Sequence, residues 1–389
     1  MYIVKTLNKI SDAVNEKLLP DKFEIIDQGD DFDAAIVRSA DMHEMKLPDS
    51  LLAIARAGAG YNNIPVDECT EKGIVVFNTP GANANAVKEL VICGMLLSGR
   101  RVVEAIDWLN DEKKAGTEGL SKVVEKAKNN FVGPELGGKK LGVIGLGAIG
   151  VMVANTASLG LNMEVLGYDP YMSIDAAWHL TRSVKQAKSL DEIYTQCDFI
   201  SLHLPLNDNT KGMINAEVVE KMKKGAVLLN FARGGLVDDD AVLAALKDGN
   251  LGHYVTDFPD DVVTGQEGVI AIPHLGASTP ESEENCATMA ARQLRDYLLD
   301  GNIRNSVNLP DCVLPRTGSV RVAIINRNIK NMIGQMSAIL AADGYNIDNL
   351  INKSRGDWAY TMFDLDKDFS DATRAKLMAI DGVQKIRVL

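Results

Sequence analysis

The chain has 389 residues, of which 46% are hydrophobic and 24% charged, so two or three globular domains are expected and a fibrous or largely disordered chain is excluded. Its 41 basic and 53 acidic side chains leave a net charge of −12, a field that repels nucleic acid and anionic membrane, and neither is expected as a partner. Any anionic ligand must therefore meet locally placed positive charge.

Short apolar runs at Tyr2–Leu7, Phe23–Ile26, Ala34–Val37, Leu51–Ala55 and Ile74–Phe77 alternate with other patterns, which predicts a parallel sheet with crossover connections. An amphipathic segment over Ala84–Leu109 predicts one long helix crossing between domains, followed by an exposed polar connection, Asn110–Asn130. A second series of strands follows at Leu141–Gly145, Val165–Tyr168, Phe199–His203, Val227–Phe231, Tyr254–Phe258 and Val269–Ile272. These runs are almost continuously apolar, as for strands covered on both faces. Ser278-Thr279-Pro280-Glu281 opens a helix to about Leu299, closed by Gly301. The stretch 303–318, with Pro310 and Pro315, reads as a linker. Beyond it come a strand (Val320–Ile325), a helix (Lys330–Ala342), a hairpin (Ile347–Lys353 and Ala359–Asp364), a helix (Ala372–Ile380) and a last strand (Val383–Val388). That βαββαβ order is ferredoxin-like. The expected fold is α/β, with two doubly wound parallel-sheet domains and a small separate C-terminal unit.

Gly145-Leu146-Gly147-Ala148-Ile149-Gly150 follows a strand and opens a helix, the context that gives a GxGxxG motif meaning. The first glycine permits the turn, the second lets a pyrophosphate approach the backbone, and the third lets helix and strand pack closely. Asp169 ends the next strand, 19 residues after Gly150, where a carboxylate accepts hydrogen bonds from ribose hydroxyls and repels a 2′-phosphate. NAD is the expected cofactor.

Hydride transfer from an alcohol needs a base near neutral pH, and there are five histidines. His43, His179 and His253 read as solvated or structural, and His203, before Leu204-Pro205, could support the cofactor loop. His274 stands out: it follows the strand Val269–Ile272 and precedes a helix start, where open α/β sheets bind ligands. Arg233, at the end of another strand beside Gly234-Gly235, can grip a carboxylate with two parallel hydrogen bonds. Between them lie Asp257, Asp260 and Asp261, any of which could pair with the histidine. The five cysteines are scattered without a CxxC pair, so neither a disulfide framework nor a metal site is expected, and a reducing cytoplasm fits. The first nine residues lack the apolar core of a secretory signal, and no run is long enough for a membrane span.

Several motifs together resemble the D-isomer-specific 2-hydroxy acid dehydrogenase family. They are Ile36-Val37-Arg38-Ser39, Arg56-Ala57-Gly58-Ala59-Gly60-Tyr61-Asn62-Asn63, Asn78-Thr79-Pro80-Gly81, the fingerprint with Tyr168-Asp169-Pro170, Asn230-Phe231-Ala232-Arg233-Gly234-Gly235, and Pro273-His274-Leu275-Gly276-Ala277-Ser278-Thr279. The resemblance implies that His274 is the acid/base, that Arg233 binds the substrate carboxylate and carbonyl, and that Asp261, ranked above Asp260, pairs with the histidine. The family most often has Glu there, so Asp261 shortens the side chain by one methylene. It further implies cofactor contacts at Ala148, Ile149, Leu204, Pro205, Phe231, Ala232, Asp257 and Gly276, and substrate-anion binding by Arg38, Arg56, Gly58, Ala59 and Gly60. The implied domains are 1–95 with 278–302 for substrate, 96–277 for NAD, and 319–389 after the linker, with closure of a cleft between the first two.

The C-terminal unit resembles an ACT domain through Asn328, Gly344-Tyr345-Asn346-Ile347 and Asn352-Lys353-Ser354-Arg355-Gly356. Such a tail implies the branch that oxidises 3-phosphoglycerate to 3-phosphohydroxypyruvate with NAD, the first step of serine synthesis, with a phosphorylated 2-hydroxy acid as small-molecule partner. Where serine-controlled relatives have His-x-Asn-x-Pro-Gly, this chain has Asn326 for the His and Lys330-Asn331 for Pro-Gly, which favours an oligomerisation role in a homodimer or homotetramer over serine control. The alternatives are reduction of hydroxypyruvate, glyoxylate or 2-oxoglutarate, and an NAD-sensing scaffold without turnover.

Overall fold

The computed structural model describes residues 1–317 and 320–389, which divide into two compact units, 1–83 with 280–389, and 84–279. The first unit opens with β1 (Tyr2–Leu7), β2 (Phe23–Ile26), β3 (Ala34–Val37), β4 (Ala53–Arg56), α1 (Val66–Glu71) and β5 (Val75–Phe77). They form a sheet in the order β2-β1-β3-β4-β5, every neighbour parallel. All four residues of β3 are buried, as its unbroken apolar run requires. Only α1 is an α-helix among these connections, so the expected double winding is incomplete here. The segment between β2 and β3 has four Asp and a Gly in seven residues, poor helix formers, and that between β3 and β4 contains Pro48.

The second unit contains α2 (Ala84–Gly99), α3 (Val102–Lys114), α4 (Leu120–Ala127), β6 (Lys140–Ile144), α5 (Ala148–Gly160), β7 (Glu164–Tyr168), α6 (Ile174–His179), β8 (Lys185–Gln186), α7 (Leu190–Gln196), β9 (Phe199–Leu202), α8 (Ala216–Lys221), β10 (Ala226–Asn230), α9 (Asp239–Asp248), β11 (Leu251–Thr256) and β12 (Val269–Ala271). Its parallel sheet runs β12-β11-β10-β9-β6-β7-β8. Strand order therefore reverses between β6 and β9, and the crevice at such a reversal is where doubly wound sheets bind nucleotides. Successive strand residues serve opposite faces: Val143, Leu229 and Val255 enter one core, Ile144, Ile200 and Leu228 the other.

Three expectations change in this unit. The segment expected as one helix over Ala84–Leu109 breaks at Arg101, which adopts φ 49°, and continues as α3. The polar connection 110–130 contains α4. Residues 84–95, expected in the first domain, fall in the second unit because the buried face of α2 (Val87, Val91, Met95) packs with Phe231 and Val255 of this sheet.

The chain returns to the first unit as α10 (Pro280–Asp300), then β13 (Val320–Arg327), α11 (Met332–Ala342), β14 (Ile347–Arg355), β15 (Trp358–Leu365), α12 (Asp371–Met378) and β16 (Val383–Val388). The last four strands pair antiparallel in the order β14-β15-β13-β16. One face of this sheet (Val322, Ile324, Phe363) is covered by Met336 and Leu340 of α11 and Leu377 of α12. The other (Ala323, Ile325, Trp358, Tyr360, Met362) joins Leu294 and Tyr297 of α10 and Val75 and Phe77 of β5 in one core. The small unit expected to stand apart is thus packed on the first unit, because a sheet apolar on both faces must cover both.

The expected linker is packed as well. Ile303, Leu309 and Cys312 belong to that core, and the buried Asn308 side chain accepts from Val76 N and donates to Ile74 O and Thr70 Oγ1. The boundary expected at 318/319 lies outside the described residues. Fully buried Arg321 grips Asp364 through Nε at 2.7 Å and Nη2 at 2.9 Å and donates to the carbonyls of Asp300, Leu314 and Pro315. Among the described residues no helix is long and apolar enough to cross a membrane.

Candidate active site

β6 ends at Ile144 and α5 begins at Ala148, so Gly145-Leu146-Gly147 make the whole turn between them. Gly145 adopts φ 93°, and a Cβ there would stand 2.4 Å from the His203 carbonyl oxygen. A Cβ on Gly150 would lie 1.9 Å from the Gly145 carbonyl oxygen, so α5 packs on the turn at a distance only glycine allows. A Cβ on Gly147, in contrast, meets nothing within 4 Å. This N-cap residue opens α5 without a side-chain cap, leaving the first N–H groups and the positive end of the helix dipole to an incoming anion. Asp169, just past β7, accepts the Leu146 N–H at 2.9 Å through Oδ2 and the Tyr171 N–H at 2.8 Å through Oδ1. The carboxylate is tied to the glycine turn itself, at the place where ribose hydroxyls reach it in such folds. These features fit a dinucleotide.

Of the other residues expected at the cofactor, Ile149 begins α5 beside Ala148, Leu204 abuts the Gly145 turn, and the Pro205 carbonyl accepts the Thr210 hydroxyl at 2.6 Å. The Phe231 ring instead runs into the core against α2, so only its backbone faces the strand end. Ala232, also buried, packs on the opposite face of the sheet. His203 shares a hydrogen bond of 2.9 Å with Ser201 Oγ through Nε2, while its Nδ1 is buried without a partner. Burial lowers its pKa to about 4, so it stays neutral near pH 7 and serves poorly as a base there.

A cavity of about 580 Å³ lies at the ends of β10, β11 and β12, lined by Asn230, Asp239, Tyr254, Asp257, Asp260 and His274 among others. His274 adopts φ 38°, a left-handed conformation uncommon for a side chain of this size. Its N–H donates to the carbonyls of Asp257 and Ile272, and its ring lies against Phe258 with centroids 4.6 Å apart. Asp257 is 2% exposed: Oδ2 accepts the Gly276 N–H at 3.1 Å, while Oδ1 is buried with no partner. Burial raises its pKa, against the Gly276 hydrogen bond and the charges of His274 and Arg233. The orphaned oxygen is an acceptor waiting for a donor such as a nicotinamide carboxamide, a second point on which the residues fit the dinucleotide.

Arg233 is exposed beside this cavity, its Nη1 donating to the Ala232 carbonyl at 2.6 Å. What holds its loop is Asn230, a residue the motif reading passed over: Oδ1 accepts from Ala232 N and Arg233 N, and Nδ2 donates to the Arg233 carbonyl at 2.9 Å. An Asn at the end of an apolar run, three residues before Arg-Gly-Gly, was the available signal. Asp239, also missed, faces Asp260. Burial, then the neighbouring Asp260 charge and hydrogen bond, raise its pKa to about 6.

The expected pairing of Asp261 with His274 is absent. Asp261 is exposed and, among the described residues, forms no ion pair with the ring. Asp260, not Asp261, lines the cavity, and its Oδ1 is occupied by the N–H groups of Val262 and Val263. Both acids are exposed, but the turn sets Asp260 on the cavity wall beside Asp239.

In the first unit, Arg38, Arg56 and the 58–60 turn do come together. Arg56 Nε donates to the Arg38 carbonyl at 3.1 Å, and a Cβ on Gly58 would fall 1.6 Å from Arg56 Nη1, so the guanidinium lies across the glycine. Ala59 O accepts Asn78 Nδ2, and Arg38 pairs with Glu283 Oε1 at 2.5 Å. A Cβ on Gly60 would meet Asn62 Oδ1 at 3.7 Å, an ordinary contact. Among the described residues no cluster of metal-ligating side chains converges.

Fold and turn define a dinucleotide-binding α/β protein, and the similarities to known proteins give the class. Residues 92–276 match the model of the D-isomer specific 2-hydroxyacid dehydrogenase family, NAD binding domain. The chain is 32% identical over 351 residues to D-3-phosphoglycerate dehydrogenase of Haemophilus influenzae, covering 87% of this chain and 81% of that protein. It is 35% identical over 309 residues to D-3-phosphoglycerate dehydrogenase of Methanocaldococcus jannaschii, covering 77% of this chain. It spans 56% of that relative and a similar share, 54%, of the human protein of that name. A crystal structure of NAD+-bound 3-phosphoglycerate dehydrogenase from Entamoeba histolytica superposes with a TM-score of 0.62 at 29% identity, covering 79% of this chain and 98% of that one. The chain belongs to the D-isomer specific 2-hydroxyacid dehydrogenase family, and the cofactor of its second unit is NAD. Relatives matched over most of the chain include D-3-phosphoglycerate dehydrogenases from archaea, bacteria and animals.

Proposed function

We propose that this protein oxidises D-3-phosphoglycerate to 3-phosphohydroxypyruvate with NAD in the cytoplasm, the first step of L-serine biosynthesis. The observation that carries the reading is His274, held by its left-handed backbone in the same cavity as the buried, half-satisfied Asp257, in a chain whose long matches bear that name. Bound NAD supplies the hydride acceptor. Gly147, with the first turn of α5, leaves room and N–H groups for the pyrophosphate, Asp169 takes the ribose, and Asp257 Oδ1 accepts the carboxamide.

His274 takes the hydroxyl proton of the substrate as its C2 hydrogen departs, and returns it in the reverse direction. Arg233 donates to the carboxylate and to the developing carbonyl oxygen, which stabilises charge as it forms. Asp261, exposed on the same loop, is assigned to the imidazolium, which it would approach from outside the cavity that Asp260 lines. Arg38, Arg56 and the 58–60 backbone are assigned to the substrate anion. The C-terminal βαββαβ unit is read as a ferredoxin-like ACT module on its strand order, serving assembly of a homodimer or homotetramer.

The test is oxidation of NADH at 340 nm with 3-phosphohydroxypyruvate, hydroxypyruvate, glyoxylate and 2-oxoglutarate in parallel. A clear kcat/KM preference for the phosphorylated acid is expected, and preference for an unphosphorylated one would overturn the substrate. The His274→Ala variant should bind NADH normally with turnover near background; near-normal turnover would sink its role.

A further inference from the structure

A second cavity, of about 540 Å³, lies wholly within the first unit, between one side of α10 and the chain around Gly81 and 302–305. Positions 285, 288, 292 and 296 fall at helical spacing and bring Asn285, Thr288, Arg292 and Asp296 to its wall, with Arg304 entering from the loop beyond the helix. That loop is braced: Ile303 and Cys312 exchange backbone hydrogen bonds of 2.9 Å in both directions, Asn302 Oδ1 accepts the Leu314 N–H, and Asn305 is held at φ 57° with its N–H on Asp311.

Two observations mark the cavity as built for a ligand. Arg292 and Arg304 both line it, and neither has an acidic partner among the described residues, whereas neighbouring Arg295 and Arg316 pair with Asp296 and Asp300. In a chain of net charge −12, two unpaired guanidinium groups on one concave wall form a local anion trap. Gln293, 6% exposed and also on the wall, donates from Nε2 to the Asn78 carbonyl at 3.1 Å, while its Oε1 is buried without a partner. Rotating the amide would set two oxygens against each other, so Oε1 is the end of this wall residue left as an acceptor without a donor. A buried acceptor without a donor is costly.

We propose that this cavity binds a small oxyanion that also carries an O–H or N–H donor, the charge held by Arg292 and Arg304 and the donor by Gln293 Oε1. The inference does not depend on the reaction assigned above.

Inorganic phosphate is a suitable probe because at neutral pH it keeps a P–OH group. Sulfate has its size and charge but no donor, and glycine presents a carboxylate with an ammonium donor. Calorimetric titrations of the full chain, in saturating NADH and at constant ionic strength, would compare the parent with Arg292→Gln, Arg304→Gln and the double variant. Phosphate or glycine should bind the parent more tightly than sulfate does, and each single variant should weaken that binding by about 10-fold or more, the scale of a lost charge-assisted hydrogen bond. NADH oxidation by the variants should stay near the parent rate, which separates failure here from failure of the catalytic reading. No binding by the parent, equal binding by the double variant, or sulfate binding as tightly as phosphate and glycine would each overturn the proposal.

Discussion

The two glycines flanking the first turn of α5 should fail in different ways when each is given a single methyl group. In Gly150→Ala the new Cβ would lie 1.9 Å from the Gly145 carbonyl oxygen, and the next atom, the Gly145 carbonyl carbon, is at 3.0 Å. Ordinary carbon–oxygen contact needs about 3.3 Å, so helix and turn must part by more than ~1 Å, and overpacking of this kind costs about 1–3 kcal/mol or more. For a unit of this size that corresponds to a Tm lower by roughly 2–4 °C per kcal/mol. In Gly147→Ala the methyl group enters open space with φ at −74°, so the Tm should stay within about 1 °C of the parent. The same methyl group stands where the pyrophosphate must approach the backbone, and NADH affinity should fall by about 10-fold or more. Differential scanning fluorimetry without cofactor and fluorescence titration with NADH measure the two effects separately. A Gly150→Ala protein as stable as the parent, or a Gly147→Ala protein with undiminished NADH affinity, would refute the reasoning that one glycine serves packing and the other the ligand.

Folding favours the protonated form of Asp239, so the stability it contributes is full below its unfolded pKa of 3.8 and is lost as pH rises through about 6. The Asp239→Asn variant should therefore be more stable than the parent at pH 8 and lose that advantage near pH 4 in urea melts; a difference that does not change with pH would contradict the Asp239–Asp260 repulsion. Asp364→Ala strips the partner from fully buried Arg321 and should cost about 3–5 kcal/mol in the first unit, seen as a loss of Tm. Arg233→Lys keeps the charge but not the planar fork, and kcat/KM should fall about 100-fold or more with NADH affinity unchanged; a small loss would remove Arg233 from the reaction.

Much of the second unit could be read from local pattern. Continuous apolar runs locate β6, β7, β9 and β10 to within a residue or so because strands buried on both faces tolerate little else. The glycine turn, Asp169 and the strand-end positions of Arg233 and His274 are legible for the same reason: they depend on neighbours in sequence and on a strand order that parallel sheets repeat. The break at Arg101 and the helix α4 were not: α4 does carry Leu120, Val123, Val124 and Ala127 at helical spacing, but over only eight residues inside a polar, lysine-rich connection, and neither α3 nor α4 has a buried residue.

What local pattern did not contain is anything set by residues distant in the chain. Pro310 and Pro315 suggest a linker, yet Ile303, Leu309 and Cys312 are buried because the C-terminal sheet closes over them, a fact that depends on which face of β13 and β15 finds a partner. The three acids Asp257, Asp260 and Asp261 are equivalent in composition; only the turn after β11 buries the first, sets the second on the cavity wall with Oδ1 capping its own loop, and leaves the third off that wall. Asp239 acquires its raised pKa in the same way, through burial and Asp260 from beyond the next strand, whereas Asn230 bonds Ala232 and Arg233, its own neighbours in sequence. Sequence alone determined which chemistry the chain can carry, because residue type and spacing decide the turn, the cofactor acid and the candidate base. Tertiary structure decided which of several equivalent groups are buried, paired or left waiting for a ligand, because burial and orphaned hydrogen-bonding atoms are properties of packing across the chain rather than along it.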